Sequence, residues 1–516
     1  MTKRVVIGAL MGALMLVSTG CSEECVDQID CNNKKGLPGE GKQWACVDNK
    51  CVSRDVTPPP PAEDNDAGTE TDAGTQTDAG TETDAGTQTD AGTPVDAGTM
   101  TVKEGEACTS TAACMAGLYC DASGSSKTCQ PLHIAVTRSL TSGNTTEAVV
   151  VRYKTPGSTP ATGTTDVTKL SESTTGQSRF PRWNKDGTAV AFVEESGNTV
   201  TLFTRNIPLT AGQKTQLTTG ATAEADTSDF RYMEWEPSSS IAWSKTTKSG
   251  STVSSSGISV ISGTGGTVQT ASDTGVFPSW AANGQSFAYN SGGLGLLTRT
   301  LGGAAATPVT GATQTSEQPL HNTANDVLLY LDSEGKSDTS GSFTVPLSRL
   351  FTIPTAGGTP TVIADISEQA ITGGKLKSYV ANHTWSPPGT HAAYVRVYYF
   401  LSDVGVGSGL CGNTGVACPS GQQGNVIYVR RIGSDGKPVG SELLLASEAT
   451  LPSFSPDGHF IAYVSGGKLK VQEINPDATD EATLKVGDVI THTWSGSTVP
   501  TSQGDDYRPR WQPRGP

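Results

Sequence analysis

From His133 to the end of the chain, short apolar runs alternate with turns rich in Gly, Ser, Asn and Thr. Val190-Ala-Phe-Val193, Leu328-Leu-Tyr-Leu331, Ala393-Tyr-Val-Arg-Val397 and Val426-Ile-Tyr-Val429 are typical. Runs this short, rich in β-branched and aromatic residues, predict strands, and no long stretch keeps the 3.6-residue apolar period of a helix. Seven times between Phe180 and Trp511 the runs follow one opening: an aromatic or Pro, a Trp or Phe, a tight turn, then an apolar strand. The clearest copies run Phe180-Pro-Arg-Trp-Asn-Lys-Asp-Gly187, Phe277-Pro-Ser-Trp-Ala-Ala-Asn-Gly284 and Leu451-Pro-Ser-Phe-Ser-Pro-Asp-Gly458; looser ones start near Tyr232, Gln318 and His383, and a truncated one is Tyr507-Arg-Pro-Arg-Trp511. Sheet units that recur in this way bury their apolar faces only by stacking on one another, and radial stacking predicts an all-β propeller.

The Asp-Gly or Asn-Gly step suits a tight hairpin that glycine tolerates. The aromatic ahead of it, Trp183, Trp235, Trp280, Trp385 or Phe454, is placed to wedge between adjacent sheets. Interblade packing is the first expectation for these rings, ahead of a role as sugar platforms, and turn formation is the first for Asp186 and Asp457. Counting openings gives blades near 178–217, 230–270, 276–311, 317–365, 379–446 and 451–493. Residues 133–170 hold three strand-like runs without an opening, and 507–511 an opening without a blade. Joined, they complete a seventh blade and close the ring without exposed edge strands. Pro452-Ser-Phe-Ser-Pro-Asp-Gly458 and His383-Thr-Trp-Ser-Pro-Pro-Gly389 resemble the hallmark of TolB-type β-propellers, Pro-x-Trp-Ser-Pro-Asp-Gly. TolB itself has six blades, so a six-bladed ring is the alternative to seven. The resemblance implies a protein of the bacterial envelope with envelope partners.

Ahead of the propeller the pattern changes. Lys3 and Arg4 precede an apolar stretch from Val5 to Val17 and the small-residue end Ser18-Thr-Gly-Cys21, the layout of an export signal too short to span a bilayer. Gly-Cys here resembles the lipobox of bacterial lipoproteins, with Ser18 where that family places Leu. The resemblance implies lipid attachment at Cys21 and, with Ser22 next, sorting to the outer membrane; an ordinary cleaved signal is the alternative. Of the 11 Cys, removing Cys21 leaves an even set, as disulfides in an exported protein require. Cys25, Cys31, Cys46 and Cys51 form one cluster and Cys108, Cys114, Cys120 and Cys129 another, with pairings open within each, while Cys411 and Cys418 lie close enough to clip one loop. Neither cluster has a Cys-x-x-Cys pair or a His, which argues against zinc. Between them a proline run and six Asp-Ala-Gly-Thr units offer too little apolar surface to fold. The division expected is a signal at 1–21, a Cys-rich segment at 22–52, a disordered linker at 53–104, a second Cys-rich segment at 105–131 and the propeller at 132–516.

The net charge of -15 carries no basic stripe and makes nucleic acid an unsuitable partner. Neither a Gly-x-Ser-x-Gly elbow nor a His-Glu-x-x-His helix occurs. His383 and His391 bracket one hairpin, but neither metal nor other cofactor is expected. Long connections at Lys245–Ser256, Ser333–Thr344 and Leu401–Gly424 fall opposite the Asp-Gly turns and are a candidate recognition face. The function expected is that of a monomeric, lipid-anchored envelope protein whose propeller binds protein or glycan without catalysis. A propeller-based polysaccharide lyase or other carbohydrate-active enzyme is the alternative.

Overall fold

The computed structural model describes residues 102–513, apart from short internal stretches of which 154–166 and 412–423 are the longest, together with strands at 42–47 and 50–55. The expected signal segment, Cys21, Cys25, Cys31, Cys418 and the linker lie outside the described residues. In the N-terminal unit, Lys42–Val47 pairs with Lys50–Asp55 as a hairpin whose register sets Cys46 opposite Cys51.

The second unit is a seven-bladed propeller. Blades 2, 3 and 4 run from Gln177–Trp183 to Lys214–Gln216, from Thr227–Glu234 to Gln269–Ser272, and from Val276–Trp280 to Thr307–Pro308. Blades 5, 6 and 7 run from Ser316–Asn322 to Thr361–Ala364, from Gly374–Trp385 to Pro438–Ser447, and from Ala449–Phe454 to Lys485–His492. Blade 1 is assembled from both ends of the unit. Its strands His133–Leu140, Thr145–Arg152 and Val167–Lys169 are completed by Ser497–Thr498 and Arg510–Trp511, both antiparallel to His133–Leu140. The ring is seven-bladed and closed by strands from its two ends.

Each blade opens on the recurring motif, and the motif bends its strand. Register shifts interrupt the pairing of the first and second strands in blades 2 to 7. There Phe180, Tyr232, Phe277, Gln318, Asn382 and Leu451 lie at φ 46–57°, a region that costs a bulky residue about 1–2 kcal/mol. The bulge amides find partners outside their own strand. Phe180 N donates to Thr137 Oγ1 and Phe277 N to Ser244 Oγ, each at 3.0 Å and each a hydroxyl of the preceding blade.

The aromatic three residues on fills the interblade space. Trp183 packs on Ala135, Val150 and Leu170 of blade 1, and Trp280 on Ala242, Val260 and Ala271 of blade 3. Four indoles also donate Nε1 to the preceding blade: Trp183 to the Arg510 carbonyl (2.9 Å), Trp280 to Glu234 (3.3 Å), Trp385 to Leu320 (3.1 Å) and Trp511 to Ser453 (3.1 Å). Every acceptor is the residue just before its own blade's motif aromatic or, in blade 5, before His321, so the bonds run round the ring in one sense. Packing and hydrogen bonding together settle the role of these rings as interblade wedges.

Disulfides hold the small segment ahead of the propeller. Cys108 pairs with Cys120 and Cys114 with Cys129, each tying the segment ahead to one of the paired strands Leu118–Asp121 and Thr128–Pro131. It docks on blades 1 and 7 through Gly117, whose N–H donates to Asp457 Oδ2 at 3.2 Å and whose carbonyl accepts from Leu132 N at 2.9 Å. Gly117 lies at φ +79°, and a Cβ there would come within 2.3 Å of Tyr153; only glycine permits this approach. Among the described residues, no helix is long and apolar enough to cross a membrane.

Candidate functional site

The first strands converge on the axis, and the position just before each wedge residue is Arg510, Arg182, Glu234, Ser279, Leu320, Thr384 and Ser453 in blades 1 to 7. Arg510, Arg182, Glu234, Leu320 and Ser453 line the axial channel, whereas Ser279 turns to blade 5 and accepts from His321 N at 2.9 Å. Four of the seven are uncharged, but blades 1 to 3 place two guanidiniums and a carboxylate side by side. Arg510 Nη2 meets Glu234 Oε1 at 3.1 Å, reaching past blade 2. The buried Arg182 donates through Nε to the Met233 carbonyl and through Nη1 to that of Pro181 at 3.0 Å.

Above these groups, on the face of the Asp-Gly turns, the channel widens into a mouth of about 400 Å³. Five consecutive blades line it. Lys185, Pro387, Pro456 and Pro513 occupy equivalent positions two residues past the motif aromatic and form its rim, and Lys185 is exposed. The mouth thus carries Arg182, Lys185 and Arg510 against one acid, Glu234, in a chain of net charge -15.

Deeper in, at the level of the bulges, the channel narrows to a cavity of about 20 Å³ lined by Glu234, Gln318, His383 and Arg508 among others, enough for about one water. Beyond it the Gly504–Tyr507 turn reaches the first strands of blades 2, 3 and 7 and plugs the axis. Its Asp506 is fully buried, forms an ion pair with Arg231, accepts from the Tyr232 amide at 2.5 Å and lies 4.0 Å from Arg182. Asp506 therefore takes, at the bulge of blade 3, the part that Thr137 and Ser244 play for blades 2 and 4. Burial pushes this carboxyl above the usual carboxylate range, and Arg231 and Arg182 work against that push. The plug makes the mouth a blind pocket.

The opposite face differs from the expectation of long loops. Lys245–Ser256 is continuous hairpin apart from its tip, with strands Ser240–Ser249 and Thr252–Ser262, and 333–344 folds into the hairpin Ser337–Ser340/Phe343–Pro346. That hairpin leans on the lengthened strands of blade 6: Tyr399 Oη donates to Asp338 Oδ2 at 2.6 Å, Lys377 Nζ meets the same carboxylate at 2.9 Å, and Ser408 Oγ reaches Ser340 Oγ at 2.8 Å. The physical reason is strand pairing: alternate residues that look like loop in sequence find backbone partners in the next strand. Cys411 is disulfide-bonded at the edge of this wall.

His383 and His391 are not brought together: His383 faces the axial cavity, while His391 lines a groove with Asn475 and Pro476. Among the described residues, the one cluster of possible metal ligands is Cys108, Cys114 and Cys129, all three in disulfides. The axial charges escaped sequence reasoning, although Arg and Glu stand at a motif position that is uncharged in blades 4 to 7; Asp506, outside the motif, gave no such signal.

No protein-family model matches the chain, and no curated protein does. Among solved structures, TolB from Acinetobacter baumannii is 13% identical with a TM-score of 0.37, covering 74% of this chain and 67% of its own. A TolB from Agrobacterium tumefaciens is 14% identical with a TM-score of 0.30, covering 58% of this chain and 99% of its own. An oligogalacturonate lyase in complex with manganese is 13% identical with a TM-score of 0.33, covering 65% and 94%. Similarity this low transfers no function to the chain.

Proposed function

We propose that this protein is a lipid-anchored envelope component, attached through Cys21, that holds a non-catalytic binding propeller away from the membrane on its acidic linker. The observation that carries the binding reading is the blind, cation-bearing mouth of about 400 Å³. A pocket with few charged groups set among rings and prolines suits recognition of a compact acidic segment, such as an acidic peptide stretch of an envelope protein. Two of its cations are already engaged, Arg510 with Glu234 and Arg182 with backbone carbonyls, which suits a rigid binding surface better than a set of groups that must exchange protons. Lys185 is the exposed cation at the rim.

The test is capture from solubilised envelope with the full chain as bait, identified by mass spectrometry, beside the Lys185→Glu variant. A partner retained by the wild type and lost at least tenfold by Lys185→Glu supports the reading. A partner bound equally by both refutes the mouth as its site. The same cations would also hold uronate carboxylates, so the competing lyase reading is checked by incubating the protein with polygalacturonate. Growth of the ultraviolet absorbance of unsaturated products would replace the binding reading with catalysis.

A further inference from the structure

The interface between blades 4 and 5 departs from the rest of the ring. Everywhere else a Trp or Phe stands at the wedge position, but blade 5 has His321 there, and Ala324-Asn325-Asp326 replaces the glycine turn, which among the other full motifs only blade 3 also lacks. The two changes are coupled, because His321 Nε2 lies 3.0 Å from Asp326 Oδ1. Burial holds the imidazole below its usual range despite the pull of Asp326, so the ring is neutral at neutral pH. Blade 4 keeps Ala288 where blade 1 sets Ala135 under Trp183, but has Thr298 where blade 1 has Val150. Val309, the counterpart of Leu170, packs with Leu328 and Tyr330 instead.

A smaller ring over smaller, hydroxylated neighbours leaves an open groove of about 630 Å³ between the blades. Its walls alternate methyl groups of alanines with the hydroxyls of Ser286, Thr298 and Thr355. Arg299 and Asp326 offset each other in charge. Asn325 lines the groove, with its side-chain oxygen turned inward and buried.

We propose that this groove is a second binding site, independent of the axial mouth, for a neutral oligosaccharide. Dense hydroxyl and amide groups, near-zero net charge and a floor of small side chains match sugar rings, which present hydroxyl edges and C–H faces. An apolar peptide anchor finds no deep pocket here, and an acidic one finds no net positive charge.

The test is binding of the full chain to an array of neutral oligosaccharides, followed by the same assay on variants. His321→Trp restores the ring that closes the other interfaces and is expected to lower saccharide binding at least tenfold while the melting temperature holds or rises. Asn325→Ala is expected to weaken it several-fold. Should His321→Trp fail to fold, Thr298→Leu fills the same space and carries the same expectation. Lys185→Glu is expected to leave saccharide binding unchanged. The proposal is overturned if the wild type retains no neutral saccharide, if the groove variants bind as the wild type does, or if Lys185→Glu abolishes binding, which would place the sugar in the mouth.

Discussion

Blade 4 and blade 1 solve one packing problem with different material. Blade 4 is a single stretch, Val276–Trp280 through Thr307–Pro308, with its bulge at Phe277 satisfied by a serine of the blade before. Blade 1 borrows its innermost strand from residues 510–511 and has no left-handed residue in its motif. In its place stands the turn carrying Asp506, whose carboxylate ties the closing segment to Arg231 and the Tyr232 amide of blade 3. An interior blade is held by its neighbours on both sides whatever the chain ends do. The closing blade is held by a segment that can leave, and a buried ion pair across the axis compensates for that freedom.

The harshest break of this comparison is removal of residues 507–516, which deletes the closing strand and the Trp511 wedge together. The melting temperature is expected to fall by more than about 10 °C, read by calorimetry. An unchanged melt would show that the ring does not depend on its closure. Next, Asp506→Ala leaves Arg231 and Arg182 facing a buried void and should cost about 3–5 kcal/mol in denaturant unfolding. Asp506→Asn, which keeps the amide contact, should cost less. Trp511→Ala and Trp280→Ala sharpen the comparison directly. Each should cost about 3–5 kcal/mol, and a clearly smaller loss for Trp511 would mark the closing interface as the looser one.

The smallest effect concerns pH. Asp332 accepts from Thr313, Thr315 and Ser316 hydroxyls at 2.6–2.7 Å and from the Glu334 amide at 2.7 Å. Burial works to raise this carboxyl, but the donors outweigh it and hold it below the ordinary range. A depressed folded value contributes stability above about pH 4 that is lost as pH falls through the folded value. Asp332→Asn should therefore lower stability at neutral pH and flatten its fall below about pH 4, as equilibrium unfolding across pH would register.

The seven blades, their boundaries and the closure were legible in the sequence because each rests on a local signal that recurs. Trp183, Trp280 and Gly187 or Gly284 sit at fixed offsets from one another, and no distant residue is needed to interpret them. The axial mouth was not legible, since Arg182, Glu234 and Arg510 are separated by 328 residues of chain from first to last and meet only when the ring closes. Asp506 was hidden for the same reason: it lies one residue ahead of the truncated copy, and its partners are in blade 3. The long connections misled because 337–340 and 343–346 pair with each other as a hairpin, a pairing that their polar residues do not announce through apolar alternation.

The stitching of blade 1 also sets an order of events in time. His133–Leu140 emerges early from the ribosome or the export channel, yet its edge partners at 497–498 and 510–511 arrive more than 350 residues later. Contacts so distant in sequence are slow to form, and until they do an apolar strand edge stands open to any passing chain. The disulfide-held segment at 102–131 is made beside that strand and is complete long before the ring is. It can cover neighbouring surface from the start, and so serve the nascent propeller as a built-in escort during its longest exposure.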